Sequence, residues 1–205
     1  MTNKERILDI SFRGGLSHLG SCLTALPIIE SIYAKKQPND IFVLSEGHAH
    51  LAHLVVKEAE GTLSEGAEIL LERFGIHCDR RAGCDVSTGS LGQGLPIAVG
   101  MALADKSHNV YCLVSDGELA EGSCWEALRI AEEQKLKNLK IHVNANGWSG
   151  LGPTDIDKLK RRLRNFDLDI RIWRTDPIYS FLQGLAGHYH VMSKGDYEST
   201  SRKRV

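Results

Sequence analysis

The segment Ser115-Asp116-Gly117-Glu118-Leu119-Ala120-Glu121-Gly122, followed by Asn144-Ala145-Asn146-Gly147, constrains this chain more than any other feature. Residues 110–114 form an apolar run that reads as a buried strand, residues 121–134 have helical periodicity, and residues 139–143 read as the next strand. A strand–helix–strand unit of this kind sets Asp116 and Asn146, thirty positions apart, at the ends of neighbouring parallel strands. A carboxylate and an amide oxygen at that edge can hold a hard octahedral cation, and Gly117 lets a phosphate approach the backbone. The pattern predicts a magnesium-bound diphosphate.

The remaining periodicities extend this unit into an α/β fold, a parallel sheet flanked by helices on both faces. Helices are expected near residues 3–12, 23–35, 48–60, 64–74, 93–105, 119–135 and 155–165, and strands near 41–44, 110–114, 139–143, 169–173 and 189–192. Thr154-Asp155 can cap the basic helix that follows, and Pro96 falls in a first turn. Residues 1–205 read as one domain, with a polar, frayed tail at 199–205.

The Asp-Gly opening and Asn close resemble the thiamine-diphosphate motif, and four further segments resemble the transketolase family in particular. In order they are Ser17-His18-Leu19-Gly20-Ser21, Val43-Leu44-Ser45-Glu46-Gly47-His48-Ala49, Gly75-Ile76-His77 with Asp79, and Ser87-Thr88-Gly89-Ser90-Leu91-Gly92-Gln93-Gly94. Each alone is a weak signal; five in register, spanning roughly residues 10 to 150, are hard to obtain by chance.

The resemblance implies a diphosphate-binding (PP) domain that holds thiamine diphosphate with Mg2+ or Ca2+. Asp116, Asn146 and the carbonyl of Trp148 would take the metal, while His48, Gly89, Leu91, Asp116, Gly117, Glu121 and Asn146 would contact the cofactor or the subunit contact beside it. His18, His48 and His77 are the implied catalytic histidines, a residue type that titrates near neutrality and can both donate and accept a proton. His50 and His53 read as structural; His108 and His142 match no motif.

The implied reaction moves a two-carbon ketol unit from a ketose or ketose phosphate to an aldehyde or aldose acceptor. The chain matches only the first of the family's three domains, so the resemblance implies a split enzyme. A separate C-terminal subunit would supply the pyrimidine-binding and C-terminal domains, in an assembly of two plus two. A decarboxylating carboligase resembling deoxyxylulose-phosphate synthase is the nearest alternative enzyme, and a non-catalytic partner-binding subunit the alternative outside enzymes.

Ser115 stands where the family has glycine, and Leu19 where it has proline; neither change removes a ligand. The family's later histidine near the diphosphate has no counterpart. His188 and His190, if on one face of a strand, would take its place; a shortened, more open substrate site is the favoured reading.

Apolar residues at 42%, charged residues at 25% and a net charge of -1 speak against disorder and against a nucleic-acid partner. No apolar run approaches a membrane span, and the N-terminus resembles no signal peptide, so a cytoplasmic protein is expected. Five cysteines without CxxC spacing speak against a disulfide framework or a zinc site and read as reduced packing residues.

Overall fold

In a computed structural model that describes residues 1–202, the chain builds a sheet of four strands whose C-terminal ends share one edge. The strands are β1 (Ile41–Leu44), β2 (Val110–Ser115), β3 (Leu139–Ala145) and, after two short strands described below, β6 (Asp169–Arg174). Their order is β1-β2-β3-β6 and every pairing is parallel. Register sets Leu44 beside Leu113, Ser115 beside Asn144 and Ala145 beside Arg174.

Alternation along the strands feeds two cores. Phe42, Leu44 and Leu113 pack into one, under α1 (Asn3–Arg13), α2 (Leu19–Tyr33) and α3 (His50–Ala59). Val43, Cys112, Val114, Ile141 and Val143 pack into the other, under α5 (Gly94–Ala104), α6 (Gly122–Glu133) and α7 (Ile156–Leu163). Burial on both faces is why β1 and β2 carry apolar residues at nearly every position, whereas β3 alternates them with Lys140, His142 and Asn144. The remaining helix of the first half, α4 (Ala67–Phe74), leans on α3.

Local signals explain the helix starts. Thr2 and Glu5 form a reciprocal capping box at α1. Asp155 caps α7 by accepting from the Lys158 backbone, whereas the Thr154 hydroxyl turns to Asp116 instead. Among the described residues no helix is long and apolar enough to cross a membrane.

Two expectations change. No strand forms at 189–192: the sheet's last strand is β6, and the chain instead turns through α8 (Gly184–His188), with the His190 N–H donating to the Gly187 carbonyl at 3.4 Å. The expected frayed tail is helical from its first residue: α9 (Lys194–Arg202) lies on α1, with Tyr197 stacked 4.4 Å from Phe12. Residues 203–205 lie outside the described residues.

Candidate active site

The site forms where three strand ends meet. β1 runs into Ser45-Glu46-Gly47-His48, β2 into Asp116-Gly117-Glu118, and β3 into Asn146-Gly147-Trp148. A cavity of about 230 Å³ opens above this edge. His18, His48, His77, Gly89, Leu91, Gly117, Asn146 and Trp148 all line it, so eight of the ten residues singled out in the sequence converge on one space. Ligands of open α/β sheets sit at this edge because the loops there diverge and backbone N–H groups point outward.

Asp116 lies directly beneath, 3% exposed. Its Oδ1 accepts from Gly117 N–H at 3.1 Å, and its Oδ2 accepts from Gly147 N–H at 2.8 Å and from the Thr154 hydroxyl. Burial nevertheless dominates and raises its pKa above the usual carboxylate range, because all three donors are neutral. The Gly147 bond ties the β2 loop to the β3 loop. A second bond, from Trp148 N–H to Asn146 Oδ1 at 2.9 Å, sets the asparagine side chain. The loop then folds into a tight antiparallel pair, β4 (Trp148–Ser149) and β5 (Gly152–Pro153).

Imidazoles form the opposite wall. His18 sits in the left-handed region, φ 61°, just ahead of α2, and its ring centroid lies 5.2 Å from His48, 6.5 Å from His77 and 4.8 Å from His188. Burial lowers His18 to about 4, with the neighbouring His188 and His77 adding to the effect. His48 falls to about 3, again mainly through burial, then through the other three rings. Glu46 Oε2 is only 3.9 Å from His48 Nε2, yet it does not hold the imidazolium. Glu46 is fully buried, and burial raises its own pKa well above normal, so it presents little charge to the ring.

The profile of the transketolase thiamine diphosphate binding domain matches residues 9–168. The chain belongs to the transketolase family. Bos taurus transketolase-like protein 2 is 38% identical over 179 residues, which cover 75% of this chain and 28% of that protein. Homo sapiens transketolase is 38% identical over 175 residues, 74% of this chain and 28% of that one. An apulose-4-phosphate transketolase subunit from Phocaeicola vulgatus is 30% identical over 191 residues, 82% of this chain and 68% of that protein. The chain thus spans well under a third of the two mammalian relatives and about two thirds of the bacterial one. A solved transketolase mutant from Pichia stipitis shares the fold, with a TM-score of 0.80 at 22% identity over 98% of this chain and 40% of that one.

The residues present fit the cofactor of a transketolase. A Cβ built on Gly117 would lie 2.8 Å from Ser149 Cβ and 3.3 Å from the Trp148 carbonyl oxygen, so only glycine lets the β3 loop, with its Trp148 carbonyl, close this tightly over the end of β2. Gly89, φ +146°, is a second such point; a Cβ there would meet the His77 ring at 3.0 Å. The carboxylate of Asp116, the amide of Asn146 and the carbonyl of Trp148 are all oxygen donors, the set that hard divalent cations prefer. Asp116 is paired with no cationic side chain among the described residues, which leaves its charge for an ion.

Glu121, expected at the cofactor or the subunit contact beside it, is exposed and packs beside Gly92, outside the cavity lining. Two further findings bear on the sequence reading. The buried acid of this segment is Glu118, fully enclosed, whose Oε1 accepts from the Ser45 hydroxyl at 2.7 Å and from Gly92 N–H at 2.8 Å while Oε2 has no partner. Burial raises its pKa above the usual carboxylate range. Finally, His188 joins the imidazole wall from α8, whereas His190 turns away to Asp196 at 3.0 Å. The two do not share a face, because a helix end and not a strand carries them.

Proposed function

We propose that this chain is the diphosphate-binding subunit of a transketolase-like enzyme dependent on thiamine diphosphate and magnesium. It works with a separate pyrimidine-binding subunit, transferring a two-carbon ketol unit from a ketose phosphate to an aldose. The observation that carries this reading is the convergence of three motif histidines on the same cavity as Gly117, Asn146 and Trp148. The Phocaeicola vulgatus relative, itself one subunit of a transketolase and spanned over 68% of its length by this chain, supports a two-chain assembly. In this reading residues 1–205 act as one domain, in a cytoplasmic complex of two copies of each subunit.

When bound, thiamine diphosphate supplies the electron sink for breaking a carbon–carbon bond beside a carbonyl. The chain's own residues supply position and protons. Asp116, Asn146 and the Trp148 carbonyl would hold the magnesium, with the diphosphate beside the Gly117 turn. Leu91, 40% exposed, offers an apolar surface to the cofactor. His18 and His48 enter the reaction as neutral bases, since burial has already removed their protons at neutral pH. His77, at the exposed rim, exchanges protons with the donor's first hydroxyl. His188 takes a place in the wall beside His18 and narrows the substrate side of the cavity.

Calorimetric titration of thiamine diphosphate with magnesium tests this, using the chain alone and the complex formed by co-expression with the polypeptide encoded beside it. Tight binding only in the complex is the expected result. Absence of binding in both states would overturn the proposal in favour of a non-catalytic role.

A further inference from the structure

Beneath the imidazole wall lies a second cluster that the proposed reaction does not use. His50 and His53 from α3 meet Cys78 and Cys84 from the segment that follows His77. All four are buried, at 0%, 1%, 4% and 6% exposure. One ring nitrogen of His50 and the two sulfurs lie within 4.8 Å of one another. His53 Nδ1 stands 3.6 Å from Cys84 Sγ and 4.0 Å from Cys78 Sγ, and the sulfurs are 2.9 Å apart as free thiols. His50 Nε2 is buried without any hydrogen-bond partner.

We propose that His50, His53, Cys78 and Cys84 form a binding site for a thiophilic divalent ion, zinc by preference. Three features of the cluster converge on this. Two sulfurs and two imidazole nitrogens are the donor types of a closed tetrahedral zinc site. Zinc would give the orphaned His50 nitrogen the partner that burial otherwise denies it. Each imidazole also keeps an oxygen at its second nitrogen, Gly75 carbonyl at 3.4 Å from His50 Nδ1 and Tyr33 hydroxyl at 2.7 Å from His53 Nε2. That arrangement orients ligating histidines and fixes their tautomers.

Charge balance suits the depth of the site. Binding releases one proton from each thiol, so that Zn2+, two thiolates and two neutral imidazoles sum to zero, and no net charge is buried. Zinc–sulfur bonds of about 2.3 Å and zinc–nitrogen bonds of about 2.0 Å require the sulfurs to open from 2.9 Å and His53 Nδ1, which lies outside the 4.8 Å group of His50, Cys78 and Cys84, to move in towards His50. A Cys78–Cys84 disulfide would leave both imidazoles without a role. The ion would clamp α3 to the segment carrying His77, alongside the existing bond from Cys78 N–H to the Gly47 carbonyl at 3.2 Å. The proposal stands independently of the reaction assigned above.

The test uses the full chain, purified reduced and stripped of metal, then titrated with zinc against a chromophoric chelator and separately with cobalt(II). One zinc per chain is expected, together with a near-ultraviolet thiolate-to-cobalt charge-transfer band and the visible bands of a tetrahedral ion. The zinc should persist in Asp116→Ala, which lacks a ligand of the diphosphate-side cation. Cys84→Ser and His50→Gln should weaken zinc binding at least tenfold, roughly the scale of a lost ligand or its support. A reduced wild-type chain that takes up cobalt without charge transfer, or that binds no zinc, overturns the proposal. So does a Cys78–Cys84 disulfide whose reduction restores no metal binding. The wild-type cobalt spectrum decides the matter even if the variants do not fold.

Discussion

The floor of the cavity is buried and its imidazole wall only partly so, and the two are held in different ways. On the floor, Asp116 accepts from Gly117, Gly147 and Thr154, Glu118 from Ser45 and Gly92, and Glu46 from Asn144 at 3.1 and 3.3 Å. On the wall, His18 Nδ1 has no partner, and the rings of His18, His48 and His188 are set by packing on one another. Carboxyls pinned by hydrogen bonds, as all of these are through at least one oxygen, stay in place and suit binding, although Glu118 Oε2 has no partner. Ring nitrogens left free can take or give a proton. Burial acts on both with opposite sign, raising the carboxyls and lowering the imidazoles, so that each group is pushed toward its neutral form.

The sharpest way to break this division of labour is Asp116→Ala. If the floor is the binding element, magnesium-dependent affinity for thiamine diphosphate in the assembled complex should fall beyond detection by calorimetry. Retained affinity would remove Asp116 from the cation site and leave the floor without its main anionic ligand.

The wall should answer differently. His77→Ala is expected to leave cofactor affinity nearly intact and to lower turnover by roughly a hundredfold or more, the range for a lost acid–base group. A loss of cofactor affinity matching the loss of turnover would make His77 part of the floor's function, and the comparison would collapse at the rim.

Much of this contrast is legible in the sequence, and what is not has physical causes. The β1 and β2 strands stand out as apolar runs and β3 and β6 as alternating ones, and the motif residues at their ends follow from parallel topology. Glu46 and Glu118 do not, because an acid next to glycine reads as solvated until the fold encloses it. His188 reads from the sequence as part of a strand; its actual approach depends on α8 seated against α2 and on the turn that ends it. The paired residues of β4 and β5 are too few to show alternation. The His50–His53–Cys78–Cys84 cluster is invisible for a different reason. The two cysteines are six positions apart, and the histidines lie 25 positions or more upstream, so only the packing of α3 against the segment after His77 unites them.

The smallest expected effects come from two residues that share one turn, Glu46 and His48. Their titrations should tilt stability in opposite directions. His48 is lowered from 6.5 to about 3 in the fold. Below pH 6.5 the unfolded chain therefore binds a proton that the folded chain refuses, and stability falls as pH drops, by at most about 1.4 kcal/mol per pH unit from this one group. His48→Gln should flatten that fall. Glu46 is raised well above 4.5. Above pH 4.5 the unfolded chain gives up a proton that the folded chain keeps, and stability declines as pH rises toward the folded value. Glu46→Gln, which retains an acceptor for Asn144, should remove that decline and gain on the parent as pH increases. Thermal melts of the parent and both variants from pH 4 to pH 8 measure the two slopes. Opposite changes would establish that burial neutralises both residues, whereas parallel changes would mean that the 3.9 Å contact between them is a true ion pair with charge on each side.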